Sequence, residues 1–192
     1  MRLIAVLSLF LALTFSSTTS YAKGNNFINF KVNTFPLLIG ANDIEVDLLA
    51  GNWSFGGNAY LLSFEDGVFG AEATLFGGQL SYHFRGANND GWMLTGKGQV
   101  GTIDVTTTVL DTGSLSLVSA TGEMDVTILT AEIGYQWMWS TFNMQLRAGM
   151  SSFGGSEATI VVSDASGNSY NTTNAYSNGT SASITYTFGL AF

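Results

Sequence analysis

Stretches of about ten residues in which apolar and polar side chains alternate recur along this chain. A period of two marks a strand with two unlike faces. The alternation predicts strands over Phe27–Phe35, Asp43–Ala50, Trp53–Leu62, Glu72–Phe84, Trp92–Thr102, Val126–Trp139, Phe142–Phe153 and Ser183–Phe192. In the seventh, Phe142, Met144, Leu146, Ala148 and Met150 oppose Asn143, Gln145, Arg147 and Ser151. The number of strands is even, and their length suits a tilted strand crossing a bilayer. Soluble antiparallel sandwiches alternate too, so periodicity alone leaves two architectures open.

Composition bears on the choice. Only 10% of residues are charged against 46% hydrophobic, whereas soluble domains carry about 25% charge. Aromatics reach 13%, glycine 23 copies and proline one, which points away from a soluble helical enzyme and from disorder. No cysteine is present, so there is no disulfide, thiol nucleophile or thiolate metal site. The net charge of −8 excludes nucleic acid as a partner, since that needs a basic face.

The N-terminus reads as an export leader. Arg2 precedes an apolar run from Leu3 to Phe15, and small residues lead to Ser20-Tyr21-Ala22. This predicts a signal peptide over residues 1–22, cleaved between Ala22 and Lys23, with a barrel over 23–192. Beyond residue 22 no apolar run is long enough for a membrane helix. A membrane form of the mature chain must therefore be a closed barrel, because lipid tolerates no open sheet edge.

The connections also favour a barrel. Gly51-Asn52, Arg85 to Gly91 and Ser140-Thr141 are short, while those after the third, fifth and seventh strands are longer, the last two spanning about Ile103 to Asp125 and Gly154 to Ala182. Short periplasmic turns and long outer loops characterise outer-membrane barrels. Trp53, Trp92, Trp137 and Trp139 lie beside short turns. With Tyr82, Phe84, Phe142 and Phe192 they are expected to form an aromatic girdle at the periplasmic rim, the depth such rings favour. The expected fold is all-β, an eight-stranded antiparallel transmembrane up-and-down β-barrel.

Tyr186, Phe188, Leu190 and Phe192 alternate and end on the terminal Phe. This run resembles the signal read by the barrel-assembly machinery of the outer membrane. The chain from residue 23 resembles the superfamily of small eight-stranded outer-membrane barrels that includes the OmpA transmembrane domain, OmpX, OmpW and the opacity proteins. The stretch Gln79-Leu80-Ser81-Tyr82-His83-Phe84 leading into Trp92 looks like a strand-turn-strand hallmark of that group. The resemblance implies outer-membrane lipid, lipopolysaccharide and the assembly machinery as partners. It says little about activity, since one fold hosts many functions.

The inner face is expected to hold Lys31, Lys97 and Arg147, with Glu45, Asp47 and Glu132 opposite in charge. A two-residue turn at Ser140-Thr141 sets Arg147 across from Gly134 and diagonal to Glu132, a geometry that permits a salt bridge. Paired lumen charges read as a structural plug; a gated cation or proton path is the sharper alternative. His83, the single histidine, points inward with Ser81 on the same face. Such a pair suggests a lipid hydrolase. Against that, it faces the lumen at the end away from the lipid A leaflet, and no acid is clearly placed to orient the ring.

Glu65, Asp66, Asp104, Asp111, Glu123, Asp125, Glu157 and Asp164 fall in the outer connections, which hold no Lys or Arg. They read as a solvated surface, with weak divalent-cation binding or an extracellular partner as alternatives; they are too scattered for a calcium loop. The sequons Asn171-Thr172-Thr173 and Asn178-Gly179-Thr180 are read as chance, and no phosphate-binding glycine motif is present. The expectation is a non-enzymatic protein without cofactor or metal, with a structural, envelope-integrity or surface-interaction role. A narrow channel or small-ligand carrier is the alternative, and a lipid-modifying enzyme the third reading.

Overall fold

The computed structural model describes residues 26–37, 40–111, 116–156, 158–163, 169–174 and 178–192. The expected leader and its cleavage point at Ala22 and Lys23 lie outside the described residues, as do Glu157 and Asp164. The elements are β1 (Ile28–Asn33), α1 (Thr34–Leu37), β2 (Ala41–Ala50), β3 (Trp53–Asp66), β4 (Phe69–His83), β5 (Gly91–Asp111), β6 (Ser116–Trp139), β7 (Phe142–Gly155), β8 (Ala158–Ser163), β9 (Ser169–Asn174) and β10 (Gly179–Ala191).

β1 to β7 pair in order, each antiparallel to the next, and β10 pairs with both β7 and β1. These eight strands form a closed antiparallel barrel. β8 and β9 form a hairpin outside the ring, with β8 pairing to β6 over Ser119 to Glu123, beyond the point where β7 ends. The two ends of the ring meet: the amides of Phe27 and Ile28 donate to the carbonyl of Phe192 at 2.6 and 3.0 Å. Closure gives a backbone partner to groups that an open sheet would leave on its edges.

The side chains then divide by parity. On β1, Asn29, Lys31 and Asn33 are buried, while Phe30 and Val32 are 50% and 39% exposed. The same holds round the ring, with Ser54, Gln79, Thr95, Gln136, Gln145 and Thr187 inside. Leu48, Phe55, Leu80, Leu94, Ile133 and Leu146 are exposed outside. The interior is polar and the exterior apolar over the half of the barrel that holds the chain ends, here the turn end.

Toward the other, open end the in-and-out alternation continues, but the two faces exchange chemical character. Leu61 points out and Leu62 in, Phe76 out and Leu75 in, Leu129 out and Ile128 in. Above these doublets the outward positions are Ser63, Glu72, Asp104, Asp125 and Thr127. Inside stand Ala73, Ile103 and Val126.

Several boundaries differ from the sequence expectation. The connection after the third strand is a tight turn at Gly67-Val68, with Gly67 at φ 51°. β5 and β6 stay paired as far as Asp111 and Ser116, so most of the expected long loop is strand. An apolar run of one phase ends where the faces exchange character, so the expected strands stop short of the observed ones. β1 stops at Asn33 instead of Phe35. There Asn33 caps α1, its Oδ1 accepting the Phe35 amide at 3.3 Å, and Pro36 suits a first helical turn.

Gly134 faces inward directly across from Arg147. A Cβ there would stand 2.5 Å from Arg147 Cγ and 2.4 Å from the Leu146 carbonyl oxygen. Gly134→Ala is expected to destabilise the barrel by about 1–3 kcal/mol, the usual effect of overpacking. Gly96→Ala, where an added Cβ meets nothing within 4 Å, is expected to change stability by no more than about 0.5 kcal/mol. Urea unfolding followed by tryptophan fluorescence measures both.

Candidate functional site

Six charged side chains from five strands converge at the centre of the barrel. Glu45 on β2 is the hub. Its Oε2 lies 2.6 Å from Lys31 Nζ, and its Oε1 lies 2.6 Å from Arg147 Nη2 and also pairs with Lys97. Lys31 further pairs with Asp47 at 2.7 Å. Arg147 Nε lies 3.4 Å from Glu132 Oε2, an electrostatic contact without hydrogen-bond geometry. Glu132 Oε1 accepts the hydroxyls of Ser183 and Thr185 at 2.5 and 2.6 Å. Gln79 donates to Asp47 at 2.5 Å and to Glu45 at 3.2 Å. Lys31, Lys97, Arg147, Glu45, Asp47 and Glu132 are thus one network.

Long side chains need space opposite them, and glycine supplies it. Gly189 faces Lys31, Gly56 faces Asp47, Gly149 faces Glu132 and Gly134 faces Arg147 across the strand pairs. A Cβ at Gly189 would stand 2.7 Å from Lys31 Cγ. This pairing of glycine with charge was not foreseen; cross-strand register, which sequence leaves open, creates it.

Below the network the barrel is shut. The connection between β4 and β5, expected only as a turn, folds across the mouth. Ala87 is fully buried beside Leu49, Met138 and Ala191. Its amide donates to the Gly51 carbonyl at 2.8 Å. Gln136 Nε2 donates to the carbonyls of Ala87 and Asn89 at 2.8 and 3.1 Å. Asp90 Oδ1 accepts the Met138 amide at 2.7 Å, and Asn26 Nδ2 donates to the Ser140 carbonyl at 2.8 Å. Polar composition marks this segment as a turn but does not tell which way it folds.

Above the network the barrel is hollow. A cavity of about 490 Å³ is lined by Leu62, Leu75, Ile103, Ile128 and Phe153, with Asp43, Lys97 and Glu132 on its floor. It also reaches Ala182 and Ile184 on β10. That reach has a structural cause. β1 ends at Asn33, opposite Thr187, so among the described residues no strand pairs with this side of β10 above that level. Asn33 Oδ1 accepts the Tyr186 amide at 3.3 Å, and Thr34 Oγ1 donates to the Tyr186 carbonyl at 3.2 Å.

His83 does not pair with Ser81. Its Nε2 lies 3.0 Å from Ser54 Oγ, while Ser81 Oγ lies 2.8 Å from Thr95 Oγ1. Both are buried. The serine and histidine of the hydrolase alternative are thus held in separate contacts. The carboxylates Glu72, Asp104 and Glu123 form a cross-strand row on the exposed exterior of β4, β5 and β6. Among the described residues no three acids converge as a metal would need.

The residues expected in the girdle lie on the outer surface at the turn end. Trp53 packs on Tyr82 with centroids 4.9 Å apart, and Tyr82 on Phe84 at 5.4 Å. Tyr135, which sequence reading left out of the girdle, bridges Trp92 and Trp137 at 5.7 and 4.9 Å. Phe142 stacks between Trp139 and Phe188 at 5.5 and 5.9 Å. Tyr186, Phe188 and Leu190 lie on the outer face of β10, which Phe192 follows with its side chain exposed.

No family model matches the chain, and neither a curated protein nor a solved structure matches it. The likeness to small outer-membrane barrels therefore rests on strand pattern and architecture.

Glu45→Gln removes the charge shared by three cations and keeps the volume. It is expected to cost about 3–5 kcal/mol of stability, the usual penalty for breaking a buried ion pair from one side. Chemical denaturation of the folded protein measures it.

Proposed function

We propose that this chain is a bacterial outer-membrane protein, exported by residues 1–22 and solvated by lipid around the barrel wall. One observation carries the reading: the interior is packed with paired ions and amides, so the apolar exterior has no protein core to cover it. Leu129 at 61%, Ile133 at 52% and Phe76 at 57% exposure are typical of that face. Soluble monomers rarely leave a contiguous apolar surface of this kind. The belt runs on β6 from Trp139 to Leu129 and then gives way to Thr127, Asp125 and Glu123. A strand crossing a bilayer at a tilt needs about nine to eleven residues. The aromatic cluster at the turn end suits the headgroup level of the periplasmic side.

The role we infer is non-enzymatic. The ion network and the folded-in turn oppose an open channel, so a structural or surface-facing task fits best. The cavity at the open end favours a second reading, a barrel that holds a small ligand at the outer surface.

Reconstituted into vesicles, the protein is expected to show stronger tryptophan quenching by lipids brominated near the glycerol end than by lipids brominated at the chain ends. Its gel mobility in detergent should shift on boiling, as a folded barrel's does. Emission indifferent to brominated lipid overturns the lipid-facing reading. In planar bilayers the protein is expected to be silent, and steady single-channel steps would refute the plug.

A further inference from the structure

We propose that the cavity above the ion network is a binding site for a small amphiphile with a cationic, hydrogen-bond-donating head, which docks on Asp43. This rests on the ligand-holding reading of the cavity and is independent of whether lipid solvates the wall.

Asp43 stands on the cavity floor and is 7% exposed. Its Oδ2 accepts from Asn33 Nδ2 at 2.8 Å. Its Oδ1 is buried and has no hydrogen-bond partner. Among the described residues no cation lies within ion-pair distance of it, because the three cations of the interior are committed elsewhere. Lys31 pairs with Glu45 and Asp47, Lys97 with Glu45, and Arg147 with Glu45 and Glu132. Four carboxylates thus face three permanent cations, and the odd one borders the open space. A buried acceptor without a donor is costly, and a donor brought by a ligand removes that cost.

The surroundings set the rest of the ligand. Tyr60 sits directly across from Asp43 in the β2–β3 pairing and also lines the cavity. An aromatic ring beside a carboxylate attracts an ammonium group to its face. Above them Leu62, Leu75, Ile103, Ile128 and Phe153 accept an apolar body. About 490 Å³ falls within the usual range of small-molecule pockets, roughly 300–1,000 Å³. Glu132, the other carboxylate on the floor, is already set against Arg147, so Asp43 alone carries the preference for a cation. Lys97 does not reverse it, since Glu45 already takes its ammonium group.

The test compares three probes of one length, octylamine, 1-octanol and octanoate, by calorimetry on the full barrel folded in nanodiscs, with empty nanodiscs as background. Octylamine is expected to bind saturably, one per barrel, at least tenfold more tightly than octanol, with octanoate weakest. Asp43→Asn should weaken octylamine tenfold or more, while Glu72→Gln, on the exposed exterior, should leave it unchanged. If Asp43→Asn does not fold, Ile103→Trp tests the site by filling the cavity while Asp43 remains, and it should abolish saturable binding. Equal binding of all three probes keeps a ligand-holding cavity and overturns the cationic preference, as does tighter binding of octanoate. Saturable binding by none of the three overturns both. Octylamine binding that survives Asp43→Asn and Ile103→Trp unchanged overturns this site.

Discussion

Glu45 accepts three cations in a space from which water is largely excluded, and the inside of this barrel is organised around that contact. Each buried ion carries a desolvation cost of several kcal/mol, offset only when its partners are close and well oriented. Glu45 meets that condition through Lys31, Arg147 and Lys97. The arrangement also fixes register. A slip of one residue on β2 would turn Glu45 and Asp47 outward and bring Val46 and Leu48 in. It would also part Asp47 from Gly56, the glycine that gives it room.

The half of the barrel at the turn end was legible from the residues alone, because there each strand keeps one phase and its two faces differ sharply. Arg147 against Gly134 followed from a two-residue turn at Ser140-Thr141, and the pairing has that register. The open end was not legible in the same way. Leu61-Leu62, Leu75-Phe76 and Ile128-Leu129 are apolar on both faces, and each marks the level at which inside and outside exchange character. A reading that follows one phase ends its strand at such a doublet. The folding-in of Ala87 depends on Gln136, far along the chain, and no local pattern encodes it.

The exchange of character divides the interior into two compartments. Below it, ions and amides fill the space and leave nothing for a guest. Above it, side chains such as Ile103 and Ile128 line a hollow whose floor is the upper surface of the ion network. Asp43 belongs to both: it is buried in the charged layer and also lines the hollow. A single protein thus combines a filled lower half with a concave upper half on one continuous set of strands.

The meeting of Phe27 with Phe192 means that the ring is completed by its own first and last strands. Hairpins such as β3–β4 and β5–β6 join neighbours and can form early, whereas β1–β10 brings together segments separated by nearly the whole length. Contacts of that kind come late and slowly, because the intervening loop must be closed first. A chain cut short by its last strand would retain most of its pairings and yet present two bare edges, on β1 and β7, each a template for association with other chains. The last strand therefore decides whether the product is a closed cylinder or a sheet with open edges.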